Sequence, residues 1–277
     1  MYNAVKHIAA AALIAAAVTA CSGGNERQQS ATALLEQARN EVNSAQYAKA
    51  LTLLDSLDRA YRDCLEQRRP GTRLRMEAML AMVNDSITAN DARRAVLDST
   101  VSRLAPQFRR IEIPGTDGYS VARSIYTGNE MNVTGIQPRV DEQGFFFIAV
   151  NVKGRVINVL GLNYGDVSTT GAASVAVEGS EIATVRHEQA AALAQALAAA
   201  QAPAKVTIHG TAGNVDVRLD AKALQAFADT WTYAQAVTDQ RTELIRRERL
   251  ARQQTQLQQA LAADAQATAE AQTEDAD

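Results

Sequence analysis

The chain has 277 residues, 28 Lys and Arg against 31 Asp and Glu, and a net charge of −3, with 47% hydrophobic and 21% charged side chains. That composition, with 5 prolines, excludes a chain disordered throughout and allows one or two domains. The near-neutral balance gives no electrostatic case for a nucleic-acid partner, and no apolar run reaches the roughly 20 residues of a membrane span.

The N-terminus reads as an address. Lys6 lies in a short polar-flanked start, and residues 8–20 (IAAAALIAAAVTA) carry no charge. As a helix this stretch would cover roughly 20 Å, short of the roughly 30 Å hydrocarbon core, so it can engage export machinery without remaining as an anchor. It ends in Val18-Thr19-Ala20-Cys21, which resembles the bacterial lipobox. The resemblance implies a signal peptide over residues 1–20, diacylglyceryl transfer to the Cys21 thiol, cleavage before Cys21 and acylation of the new amino group. The alternative is an ordinary secretory signal with a cysteine beside its cleavage site. Two or three acyl chains on one residue hold a protein stably at a bilayer, so the membrane is the first expected partner, through the lipid on Cys21. Ser22 after the cysteine, by resemblance to lipoproteins of Gram-negative bacteria, favours the outer membrane. The acidic run that resembles a surface-export signal is missing, which favours the periplasmic face. Residues 21–30 read as a flexible tether.

With Cys21 acylated, Cys64 is the one thiol left and no intramolecular disulfide can form. Its setting, Tyr61-Arg62-Asp63-Cys64-Leu65, is helical, and a packing role is expected.

Residues 31–110 have helical periodicity. Leu35, Ala38 and Val42 share one face, and Ala50, Leu54, Leu57 and Tyr61 continue after a break at Asn43-Ser44-Ala45-Gln46, giving a helical hairpin. Asn40, Tyr47, Ala50 and Leu54 resemble part of one tetratricopeptide unit, but one unit cannot bury its own face. Pro70-Gly71 is expected to end the second helix. Thr72 to about Thr88 then forms a third helix and Asp91 to about Leu104 a fourth, closed by Pro106. Met76, Met79 and Met82 read as core packing rather than an adaptable binding face.

From residue 111 to 219 the period changes to short β-branched runs bounded by glycine-containing turns, which predicts a small antiparallel sheet or sandwich. Phe145 to Leu162 looks like a central hairpin. One alanine-rich helix is expected over 187–201, stopped by Pro203. Lys205–His209 and Val215–Leu219 should pair as a hairpin with one wet face. From Asp220, a candidate cap, a long helix should run to about residue 262. Leu224, Phe227, Trp231, Ala234 and Val237 would dock it on the β-rich domain. Beyond Thr238 it reads as a solvated helix or a weak coiled coil that another copy or another protein would stabilise. Residues 263–277 read as a disordered acidic tail.

Arg186-His187-Glu188 begins like a zinc-protease helix, but position 191 is alanine where the second histidine must stand, and His209 is the other histidine of the mature chain. No metal, cofactor or catalytic residue is therefore assigned. Asp55 and Asp58 are weak acid–base candidates on a helix. Asp55-Ser56-Leu57, Asp85-Ser86-Ile87 and Asp98-Ser99-Thr100 resemble the O-glycosylation sequon of Bacteroidota, which makes Ser56, Ser86 and Ser99 modification candidates; the plain alternative is helical surface serine.

In all, the chain resembles Bacteroidota outer-membrane lipoproteins in its lipobox, helical N-terminal segment, small β-domain and long C-terminal helix, an α+β protein. The expectation is a lipid-anchored interaction or scaffold protein of the cell envelope, not an enzyme, that engages a protein partner or a second copy through its helical segments. Two alternatives stand beside it: an envelope hydrolase with a site scattered over the β-domain loops, and a carbohydrate- or peptide-binding module using Tyr119, Tyr126 and Tyr164.

Overall fold

A computed structural model describes residues 24–112, 118–128 and 132–274. Residues 1–20, where a signal peptide is expected, and the lipidation candidate Cys21 lie outside the described residues. The fold is α+β, with helices α1 (Gly24–Asn43), α2 (Tyr47–Ala60), α3 (Leu65–Leu104), α4 (His187–Ala198) and α5 (Ala221–Glu274). Ten strands are described: β1 (Phe108–Ile111), β2 (Tyr119–Ala122), β3 (Gly135–Val140), β4 (Phe146–Val152), β5 (Val159–Tyr164), β6 (Val167–Ser168), β7 (Ala173–Val177), β8 (Ser180–Val185), β9 (Ala204–Gly210) and β10 (Gly213–Leu219). The chain divides into two units. The smaller joins the described residues up to Asp85 with those from Gln253 onward, and the larger is Ser86–Arg252, so α3 and α5 each contribute to both.

In the smaller unit α1 and α2 pack through Ala31, Leu35, Ala38, Leu54 and Leu57, with Leu74 of α3 and the buried thiol of Cys64. The break between α2 and α3 falls at Tyr61–Cys64, not at Pro70, which stands inside α3. Arginines from elsewhere take up the carbonyls of this turn. Arg27 Nη2 donates to the Ala60 carbonyl at 3.0 Å and to Asp63 at 2.9 Å, and Arg68 Nη1 donates to the Arg62 carbonyl at 3.0 Å. Orphaned carbonyls at a helix end need such partners, and here they fix where α2 stops. Beside Pro70, Gly71 lets α3 close on α2: a Cβ there would meet Leu57 Cδ2 at 3.0 Å. The same Arg27 belongs to α1, which starts at Gly24, so residues 24–30 are helical where a flexible tether was expected.

Two further differences concern the long helices. A single α3 runs through residues 88–91, where a boundary between two helices was expected. In the larger unit Asn90 of α3 is fully buried and donates its amide to the carbonyl of Glu243 on α5 at 3.1 Å and to the Glu243 carboxylate. Arg93 reaches the same carboxylate at 3.2 Å, Arg247 of α5 bonds Asp91 at 3.0 Å, and Gln240 bonds Asp98. In the smaller unit Gln254 bonds Asn84 at 2.8 Å. The partners advance on α5 as they recede on α3, so the two helices are antiparallel neighbours. Along this stretch of the larger unit α5 therefore has a neighbour within the chain. Helix α5 also continues to Glu274, through residues expected to be disordered; Ala, Gln and Glu, which dominate there, are strong helix formers.

The larger unit holds two antiparallel sheets, ordered β1-β2-β3-β4-β8-β7 and β10-β9-β5-β6, and no closed barrel among the described residues. Between them lies the main core. Phe146, Ile148, Val150 and Val152 of β4 and Ala183 and Val185 of β8 meet Val159, Leu162, Val206 and Ile208 of the second sheet. Ala190, Leu193, Ala194 and Leu197 of α4 keep the three- and four-residue spacing of a helix that buries one face, and all four are fully buried. Leu224, Phe227 and Ala234 of α5 complete the core. The β9–β10 hairpin pairs in the expected place, from Lys205↔Arg218 to His209↔Asn214. Its wet face carries Thr207 and Lys205, both bonded to Asp216. Asp220 caps α5, its Oδ1 accepting the Ala223 amide at 2.8 Å.

Candidate functional site

A cleft of about 630 Å³ opens in the larger unit where the β3–β4 turn meets the start of α4; its walls include Asp141, Phe145, Phe147, Thr184, Arg186 and His187. The turn is built from its own residues. Asp141 Oδ1 accepts the amides of Gln143 at 2.9 Å and Phe145 at 2.8 Å, and the Gly144 amide reaches the Asp141 carbonyl at 3.1 Å. Gly144 has φ +88°, and a Cβ on it would meet Val237 Cγ1 at 2.8 Å and Thr238 Oγ1 at 2.9 Å. Thr238 then holds the turn from α5, its hydroxyl donating to the Gly144 carbonyl at 3.0 Å. The consequence is that Phe145 stands half out of the surface beside His187, ring centroids 5.8 Å apart. Trp231 backs the site, stacked on His187 at 6.0 Å and edge-on to Phe146 at 5.4 Å.

His187 opens α4, whose N-terminal residue Arg186 makes no side-chain cap, and Arg186, Glu188 and Gln189 also border the cleft. The buried Nδ1 of His187 has no hydrogen-bond partner. The imidazole is therefore placed by aromatic packing and not by a carboxylate that would orient it for proton transfer. Aromatic walls with a few polar groups at the rim are the make-up of a binding cleft.

The three tyrosines do not converge on this cleft or on one another. Tyr119 is buried, edge-on to Phe147, with the Arg139 guanidinium 4.0 Å from its ring centroid. Tyr126 lies under Arg109 at 4.6 Å, and Tyr164 packs against the main core. Tyr119 is thus buried, while Tyr126 and Tyr164 stay half-buried at separate places in the larger unit. Asp55 and Asp58, on α2, are bridged by Arg75 at 2.6 and 2.8 Å, with Arg68 on Asp58 at 3.3 Å. Of the three sequon serines, Ser56 is half-buried on α2 with its hydroxyl on the Thr52 carbonyl at 3.0 Å, whereas Ser86 and Ser99 lie on α3, half-buried and exposed respectively. His187 and His209 belong to α4 and β9, and no cluster of three metal-ligating side chains occurs among the described residues. No described helix is long and apolar enough to cross a membrane.

The central hairpin expected over Phe145–Leu162 does not form, because β4 pairs with β3 and β8 while β5 pairs with β9 and β6 in the other sheet; sequence reasoning also passed over Asp141 and the exposure of Phe145. The usable signal was Asp141 followed by Gly144, a turn that holds the next residue clear of the sheet. No protein-family model, no curated protein and no solved structure matches this chain.

Proposed function

We propose that this chain is a lipid-anchored interaction protein of the cell envelope, held to the outer membrane on its periplasmic face through acyl chains on Cys21, with the larger unit as its binding body. The observation that carries the anchor is the run from Lys6 through the uncharged residues 8–20 to Val18-Thr19-Ala20-Cys21. Support for binding over catalysis comes from the cleft, where Phe145 and Trp231 pack on the His187 ring and, among the described residues, no hydroxyl or carboxylate bonds its Nδ1. Exposed apolar side chains point the same way: Val96 on α3 and the neighbours Leu244 and Ile245 on α5.

Radiolabelled palmitate should enter the parent chain and not Cys21→Ser, and the substituted chain should leave the membrane fraction. Equal membrane retention of both chains would sink the anchor. Binding is tested by crosslinking in the intact envelope followed by mass spectrometry, with protein adducts expected at the larger unit; recovery of lipid adducts alone would sink it.

A further inference from the structure

Four strands end the two sheets among the described residues, and three carry a device that discourages edge pairing. β1 has Arg109 and Arg110, β10 has Asp216 and Arg218, and β6 is two residues long. β7 is different. Its five residues, Ala173-Ser174-Val175-Ala176-Val177, are uncharged, free of proline, exposed throughout and paired with β8 without a bulge. Val175 keeps 59% of its surface in water.

From this edge we propose that β7 is the contact between two copies of the chain, paired antiparallel about Val175. The hydrogen-bond parity supports that register. Glu178 and Gly179 both have positive φ, 47° and 77°, and form the two-residue turn joining β7 to β8. In such a hairpin the closing pair, Val177↔Ser180, exchanges both bonds, as do Val175↔Ile182 and Ala173↔Thr184. Ser174 and Ala176 therefore direct their amides and carbonyls to the free edge. Antiparallel pairing about Val175 sets Ser174 opposite Ala176 of the partner subunit and Ala176 opposite the partner's Ser174, so the outward groups of both strands are satisfied. Val175 faces its own counterpart as a close β-branched pair.

Charge fits as well. No like charges oppose one another, and Glu178 of the partner subunit falls opposite Ala172, beside Gly171 and Ala173. Two five-residue strands bury less than the roughly 1,200 Å² of a stable interface, so the pairing is weak in dilute solution and gains from high local concentration. It stands on β7 alone and does not require the lipid.

The test is disulfide trapping in the full chain, in cell membranes and in concentrated purified protein. Apposed Val175 Cα atoms, about 4.5 Å apart, fall within disulfide range, while Val177 and its counterpart lie four residues apart along the strands, roughly 13 Å. Val175→Cys should give a covalent dimer under mild oxidation, and Val177→Cys should not. Val175→Lys should lower chemical crosslinking of the otherwise unsubstituted chain at least tenfold. Absence of the Val175→Cys dimer in both preparations overturns the proposal, as does an equal dimer from Val177→Cys or an adduct with a different protein. Cys21→Ser fractionation scores the anchor separately, so either reading can fail without the other.

Discussion

Glu181 is 1% exposed, and its carboxylate accepts the amides of Ile157 and Val159, both at 2.7 Å. Desolvation pushes its pKa up, but those two amides, the Ser174 hydroxyl and the Asn158 amide outweigh it and hold the group below the ordinary glutamate range. Its folded pKa thus lies under the unfolded value of about 4.3, so its contribution is complete above that pH and is lost as pH falls through the folded value. Glu181→Gln, which can accept only through one atom, should lose about 2–4 kcal/mol in urea unfolding at pH 7. The gap to the parent should narrow below about pH 4; a gap that stays constant with pH would refute the ionised pairing. Gly161 is as constrained. A Cβ there would lie 2.0 Å from the Thr169 carbonyl oxygen, and Thr169 is pinned by 2.8 Å bonds between its amide and the Leu162 carbonyl and between the Leu162 amide and its hydroxyl. Gly161→Ala should therefore cost about 1–3 kcal/mol and lower the thermal midpoint, as overpacking does. Both residues look ordinary in the chain; only the close approach of distant backbone makes them indispensable.

Among elements, α3 and α5 are tied in the larger unit by polar pairs with Glu243 at their centre and by the buried cluster that Leu104 and Ala226 share. Asn90→Ala removes the buried amide that reaches both the Glu243 carbonyl and its carboxylate. The expected loss is about 1–3 kcal/mol by chemical unfolding, since the bonds of a buried amide to a carbonyl and to a charged carboxylate are lost while Arg93 still reaches that carboxylate; an unchanged midpoint would show that water replaces the amide at no cost. The β3–β4 turn gives the second element-scale test. Gly144→Ala forces a side chain into positive φ, which costs about 1–2 kcal/mol, and against Val237 and Thr238. The turn should lift away from α5 and Trp231 emission should shift red, because Phe146 no longer shields the edge of the indole. Element ends show what local signals can do. Asp220 capped α5 as its chemistry requires, and Lys205–Leu219 alternated strictly enough to declare a hairpin. Pro70 and the Thr88–Asp91 stretch misled: α3 runs through both, and at the second the buried Asn90 overrides local stop signals through a partner that does not lie nearby in the chain.

At the scale of the whole molecule, Trp231 is the one tryptophan and sits in the larger unit, whereas residues from Gln253 onward belong to the smaller. Ending the chain after Arg252 should reduce the helical signal in far-ultraviolet circular dichroism yet leave Trp231 emission unchanged. A red-shifted emission would mean that the larger unit does not hold its core alone. The α+β class, the β-rich middle, the place of α4 and the start of α5 were legible in order and periodicity, because these depend on residues within a turn or two of one another. What tertiary structure alone decided was the division of strands into two sheets, the antiparallel companionship of α3 and α5, the aromatic cleft beneath Phe145, and the bare edge of β7. Each of these depends on pairs of residues scores of positions apart, and the free energy of such a contact is set by the partner's distance and burial, which no local pattern encodes.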